Sequence, residues 1–141
     1  MSRRSGFATV EFALVLPLML FLVAGVVDFT MLMRTAIAVA DAARAGAAFG
    51  SLNASNAGNI SGIQAAALAA APDVTGLSAT AAKTCQCSNG TVVNCSGGSC
   101  ASGGVRVYVQ VTAQAVATAL FGYPHLPYSG AIVATTTMRA Q

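Results

Sequence analysis

Charge is the scarcest property of this chain. Its 141 residues include 7 Lys or Arg, 4 Asp or Glu and a single His, so 8% are charged and the formal net charge is +3. Soluble domains ordinarily carry about 25% charged residues. So thin a supply provides neither the basic stripe of a nucleic-acid-binding surface nor the charge excess that keeps a disordered chain solvated, and nucleic acid is not an expected partner. Trp is absent and aromatics amount to 6%, so the interior is not built on large aromatic layers. One His and four carboxylates leave little material for acid–base or metal chemistry. The chain reads as a non-enzyme, with no cofactor, no metal and no small-molecule substrate. What it has in excess is apolar: hydrophobic residues reach 55%, and Ala alone fills 30 positions, which favours helix and fine packing.

The hydrophobicity is concentrated near the start. From Phe12 to Met33 the chain runs 22 residues with one ionisable group, Asp28. As a helix this run is about 33 Å long, enough to cross a hydrocarbon core of roughly 30 Å. A cleaved secretory signal has an apolar region of about 7–15 residues closed by a small-residue site. Here the run is longer and leads into Met33-Arg34-Thr35, so it reads as a retained anchor in contact with membrane lipid. Arg3 and Arg4 before it, with Arg34 after it, favour a cytoplasmic N-terminus and an exported C-terminal part.

Ahead of the anchor stands a short basic leader, Ser2-Arg3-Arg4-Ser5-Gly6-Phe7, with a carboxylate at Glu11. A Glu at the head of a membrane helix costs free energy and invites a reason. If the chain is cut between Gly6 and Phe7, the new α-amino group lies one helical turn from Glu11, at i and i+4. Amine and carboxylate can then pair within one subunit or between neighbours. The plainer reading leaves Glu11 in the headgroup region. Asp28, about 24 Å along the helix from Phe12, also has two readings: it snorkels to the outer interface, or it makes a polar contact with another membrane helix.

These residues resemble a known family. Arg3-Arg4-Ser5-Gly6-Phe7 with Glu11 resembles a type IV prepilin leader, and Ala8-Thr9-Val10-Glu11-Phe12-Ala13-Leu14-Val15-Leu16-Pro17 resembles the opening of TadE-like proteins, minor pseudopilins of tight-adherence (Tad) pili. The likeness continues through Gly25-Val26-Val27-Asp28-Phe29 and Ala42-Ala43-Arg44-Ala45-Gly46-Ala47, and returns at Ala134-Thr135-Thr136-Thr137-Met138-Arg139. The acidic-aromatic pair, usually Glu-Phe in such proteins, is Asp28-Phe29 here. The resemblance implies cutting after Gly6 by a prepilin peptidase and residence in the bacterial inner membrane, with a periplasmic C-terminal domain. It also implies partners: other pseudopilins, the Flp-type major pilin and the inner-membrane assembly platform. The alternatives are a pseudopilin-like subunit of another type IV or type II secretion machine, or an anchored thiol protein using Cys85-x-Cys87.

Beyond the anchor, Arg34 to Phe49 is Ala-rich, with Asp41 and Arg44 as an i,i+3 pair. One helix is expected from about Thr9 to Phe49, ended by Gly50 and kinked at Pro17, which removes a backbone bond. A second, short helix is expected over Ile63–Ala71, with Ser61 as N-cap and Pro72 as its stop. Leu77, Ala79 and Ala81 alternate weakly. Val105 to Thr112 alternates strictly, Gly122 to Gly130 is a turn-rich connector, and Ile132 to Met138 is a last strand paired with the preceding one. The fold class is α+β: a long N-terminal transmembrane helix extending into a small exported module with a three- to four-stranded antiparallel sheet. The expected divisions are a leader (1–6), a membrane helix (7–33), its extension (34–50) and the module (51–141).

The remaining motifs carry less. The Gly97-Gly98 and Gly103-Gly104 pairs lack the strand–helix setting of a phosphate loop, His125 has no neighbouring titratable residue, and Ser129-Gly130 is no nucleophile elbow. Asn-x-Ser/Thr triplets at Asn53, Asn59, Asn89 and Asn94 read as loop composition. Cys85, Cys87, Cys95 and Cys100 have the spacing C-x-C-x7-C-x4-C, without the paired C-x2-C knuckles of a zinc site. Export to an oxidising compartment favours disulfides over metal or free thiols. Of the three possible connectivities the nested one, Cys87–Cys95 inside Cys85–Cys100, is preferred on the picture of a simple hairpin, although spacing alone does not decide it.

Overall fold

The computed structural model describes residues 5–121 and 130–141, with side chains from residue 9 onward. The leader arginines Arg3 and Arg4 lie outside the described residues, as do His125, Ser129 and all of the 122–130 connector except Gly130. A 47-residue helix, α1 (Ser5–Ser51), passes through Pro17; at 1.5 Å per residue it is about 70 Å long. Two short helices follow, α2 (Ala54–Gly58) and α3 (Ile60–Ala69). Four strands come next: β1 (Ser78–Gln86), β2 (Val92–Val93), β3 (Arg106–Val116) and β4 (Ala131–Arg139). The sheet is antiparallel in the order β2-β1-β3-β4, so the fold is the expected α+β.

The sheet has an inner and an outer face because side chains alternate along each strand. On β3 the odd positions Val109, Val111, Ala113 and Ala115 are buried while Gln110 and Gln114 are exposed. The register carries that alternation outward: Val111 pairs with Ala81 on β1 and Thr136 on β4, and Ala113 pairs with Ala79 and Ala134. The outer face is polar; Thr112 and Thr135 face each other across β3 and β4 with their hydroxyls 3.0 Å apart.

Against the inner face lies only the upper half of α1. Val39, Ala42, Ala43 and Ala47 are completely buried there, at the three- and four-residue spacing that keeps one helix face inward. They divide the core into two clusters. One gathers Ala47, Ile63, Ala67, Val109 and Val111; the other, nearer the middle of α1, gathers Val39, Ala42, Ala43, Ala113 and Ala115. Small side chains on the helix let sheet and α3 come close, so the core is thin but dense.

Gly50 was expected to stop α1, but the helix continues one residue further, to Ser51. Gly50 serves packing instead: a Cβ there would sit 2.8 Å from Val109 Cγ1 and 3.0 Å from Ile63 Cδ1. The helix end is satisfied from outside, with Asn56 Nδ2 donating to the Phe49 carbonyl (3.2 Å) and the Gln141 amide to the Ser51 carbonyl (3.2 Å). Forcing a large side chain into such a close approach costs about 1–3 kcal/mol. Gly50→Leu is therefore expected to lower the thermal midpoint of the folded module, followed by circular dichroism; an unchanged midpoint would show that the helix–sheet contact yields freely.

Asn59, not Ser61, caps α3. Its side-chain oxygen accepts from the Gly62 amide at 2.9 Å, and the helix starts at Ile60, three residues before the expected Ile63. Asn59 proves to be one of four such residues. Asn53 accepts from the Asn56 amide at 2.8 Å, Asn89 from the Thr91 amide at 3.1 Å, and Asn94 from the Ser96 amide at 2.9 Å. Every Asn of the four Asn-x-Ser/Thr triplets thus folds its own local backbone through an Asx cap or turn. The Asp41–Arg44 pair is present at 3.3 Å on the exposed side of α1.

Candidate functional site

Among the described residues, most of the lower part of α1 has no covering layer. The candidate span over Thr9–Ser51 contains an 18-residue window of mean hydropathy 2.5, none of it buried inside the protein. Phe12, Leu14, Leu18, Leu20 and Phe21 are each at least 60% exposed, which separates this segment from the core helix of a water-soluble domain. Gly6 and Phe7 lie on the first turns of α1, and Glu11 follows one turn later at an exposed position with no ion pair among the described residues.

Asp28 behaves differently from its neighbours. It is 1% exposed, although Val26 and Phe29 on either side are 65% and 55% exposed. Its partners belong to the chain that leaves β3. The Leu120 amide donates to Oδ1 at 2.8 Å, and the Phe121 amide lies 3.3 Å from both Oδ1 and Oδ2. The carboxylate does not snorkel outward; within this chain its partners are backbone amides.

The cause is the direction of β3. That strand runs down α1 from Val109 beside Gly50 to Ala115, which packs with Val39. Asp28 lies about 16 Å further along the helix, and five more extended residues cover about the same distance. The chain passes Thr118, in a cleft with Met31, Arg34 and Thr35, before its amides reach Asp28. Phe121 then borders an open apolar cleft of about 640 Å³ beside Leu20, Phe21, Ala24 and Val27. The Leu120 and Phe121 amides were not anticipated from sequence. The available hint was a lone carboxylate inside an apolar run, which requires donors from somewhere.

At the opposite end of the module the four cysteines form two disulfides, Cys85–Cys95 and Cys87–Cys100. The preferred nested pairing is thereby replaced by an interleaved one, and the hairpin register explains why. Cys85 pairs in the sheet with Val93 and Gln86 with Val92, after a tight turn in which the Gly90 amide donates to the Cys87 carbonyl. Cys95 then falls beside Cys85, two residues beyond its sheet partner, and well away from Cys87 near the turn. The returning arm does not continue as a strand. It reverses at Gly97 (φ 103°), with the Gly98 amide donating to the Asn94 carbonyl, and this reversal brings Cys100 back to Cys87.

Comparison with known proteins adds one finding. The family described as TadE-like protein matches residues 6–48. Over these residues the chain is similar to that family, a stretch of 43 of its 141 residues. The TadE-like segment contains Gly6, Glu11, the exposed apolar half of α1, Asp28 and the first part of the helix face that packs on the sheet. It ends before α2, so the sheet, the disulfides and the Ala134–Arg139 resemblance lie beyond it. No curated protein and no solved structure matches the chain. The matched segment lies on a helix long and apolar enough to span a membrane.

Proposed function

We propose that this chain is a minor pseudopilin of a tight-adherence pilus: a structural and assembly subunit with no catalytic step of its own. In this reading α1 holds it in the bacterial inner membrane, N-terminus in the cytoplasm and disulfide-linked module in the periplasm. A prepilin peptidase cuts between Gly6 and Phe7, and the mature subunit joins other pseudopilins and the Flp-type pilin on the assembly platform. The observation that carries this reading is the TadE-like match over residues 6–48, which takes in an apolar helical run that the described residues leave exposed. A helix of this kind suits either lipid or a bundle of like helices, the two environments a pilin meets before and after assembly.

Processing supplies the test. Cutting after Gly6 leaves 135 of the 141 residues and removes Arg3 and Arg4, taking the side-chain charge from +3 to +1 while adding an α-amine beside Glu11. The mature protein extracted from membranes is expected to begin at Phe7. Gly6→Leu, or loss of the peptidase, should leave the full precursor in the membrane. An identical mass in strains with and without the peptidase would overturn the reading.

A further inference from the structure

We infer that the Leu120–Phe121 turn is a second membrane contact, clamped to the anchor by Asp28 and seated against the lipid of the leaflet nearest the module. The inference rests on α1 being a membrane anchor and adds where the module sits upon it. Arg34 is the cationic residue that closes the apolar run on the module side, and such residues settle at the headgroup level. Asp28 lies six residues deeper, about 9 Å along the helix. The turn that reaches it is therefore below the level of Arg34, and Phe121 borders Ala24 and Val27, deeper again.

The chemistry of the turn suits that depth. Leu120 and Phe121 are 63% and 56% exposed, apolar, and directed neither into the sheet core nor into α3. At the boundary of hydrocarbon, a non-helical backbone is tolerated only when its amides find acceptors in the protein. The Asp28 carboxylate accepts from both amides of the turn, and in return is screened from lipid to 1% exposure. The exposed face of the turn also continues the apolar face of α1 that it borders, so one apolar surface runs from Leu20 past Ala24 and Val27 to Phe121. The occupant that fits this continuity is acyl chain. The contact would hold the module down against the bilayer and fix its tilt on α1.

All four native cysteines are paired, so an introduced cysteine is the sole reactive thiol. Full-length protein in phosphatidylcholine vesicles is labelled with a nitrobenzoxadiazole probe at Leu20→Cys, Phe121→Cys or Ser55→Cys, and quenched by lipids carrying a doxyl group at shallow or deep positions. Ser55 lies past the far end of α1. The expected result is deep quenching at residue 20, shallow quenching at 121 and none at 55. Asp28→Ala is expected to reduce the docked-to-released ratio at 121 roughly five- to hundredfold, the range set by removing the acceptor of two sheltered amides. Asp28→Asn, which keeps an Oδ1 acceptor, should retain most of it. Quenching at 20 with water-like emission at 121 would overturn the clamp while leaving the anchor intact. Blue-shifted but unquenched emission at 121 would mean that protein covers the turn, and would also overturn it. Absence of quenching at all three sites would overturn the anchor itself.

Discussion

A Glu11→Ala protein is expected to be cut after Gly6 as efficiently as its parent and yet to be missing from assembled pili. The two steps ask for different things from the same short stretch. In the proposed reading cleavage depends on the small residue and basic leader ahead of the cut, whereas Glu11 lies beyond it, on α1 and exposed. Among the described residues no cation pairs with Glu11, and in the proposed reading its partner is the new Phe7 amine, of its own or of a neighbouring subunit. In water such a pair contributes little. In a helix bundle or a bilayer the surroundings are apolar, and removing one member of a sequestered charge pair costs about 3–5 kcal/mol, because the other charge is left unpaired. That is several powers of ten in an association constant, enough to stop incorporation. Immunoblots of sheared pili and membrane fractions read both steps at once: mature-length protein in the membrane, none in the pili. Normal amounts of Glu11→Ala subunit in the pili would refute this division of roles, and precursor-length protein would show that the carboxylate also serves the peptidase.

The parts of this fold that were legible in the sequence are those where a long or regular pattern meets a single physical demand. The uninterrupted run from Phe12 to Met33 could only be a buried or membrane-spanning helix, and Val105 to Thr112 alternates cleanly because Val at every odd position differs so strongly from Arg106, Gln110 and Thr112 between them. The same strand continues to Val116, but there the buried residues are Ala113 and Ala115, whose weak hydrophobicity blurs the period. β1 was faint for the same reason, since Ala79 and Ala81 are its inner face. Positions whose role depends on a distant partner were not legible. Gly50 resembles a helix stop until Val109 and Ile63 are brought beside it. Asp28 shows in the sequence only as a lone carboxylate in an apolar run, and its donors, the Leu120 and Phe121 amides, arrive with the chain that leaves β3 along α1. Ser61 and Asn59 are both acceptable caps, and only the real helix start at Ile60 chooses between them.

The cysteine pairing gives the second large expected effect, because the segment from Cys87 to Gly104 has little else to hold it. Apart from Val92 and Val93 it is made of Ser, Gly, Asn, Thr, Ala and Cys, and Val92 is 67% exposed. The bridges join residues 10 and 13 apart in sequence. Loop-closure entropy gives about 3 kcal/mol for each such crosslink taken singly. The interleaved order also makes them unequal. Cys85 is 1% exposed at the end of β1, so Cys85–Cys95 ties the tip to the sheet. Cys87–Cys100 ties the second reversal back to the first turn. The double substitution Cys85→Ala with Cys95→Ala is thus expected to lower the thermal midpoint of the module, while Cys87→Ala with Cys100→Ala loosens the tip and leaves the β1–β3 ladder in place. Proteolysis without reduction, followed by backbone fragmentation in the mass spectrometer, tests the connectivity itself, since breaks at Gln86 between Cys85 and Cys87, between Cys87 and Cys95 and between Cys95 and Cys100 leave linked fragments whose masses differ for each pairing. Recovery of Cys87 linked to Cys95 would restore the nested order and remove the register argument. Four alkylatable thiols in protein taken directly from the membrane would mean that the module does not reside in an oxidising compartment.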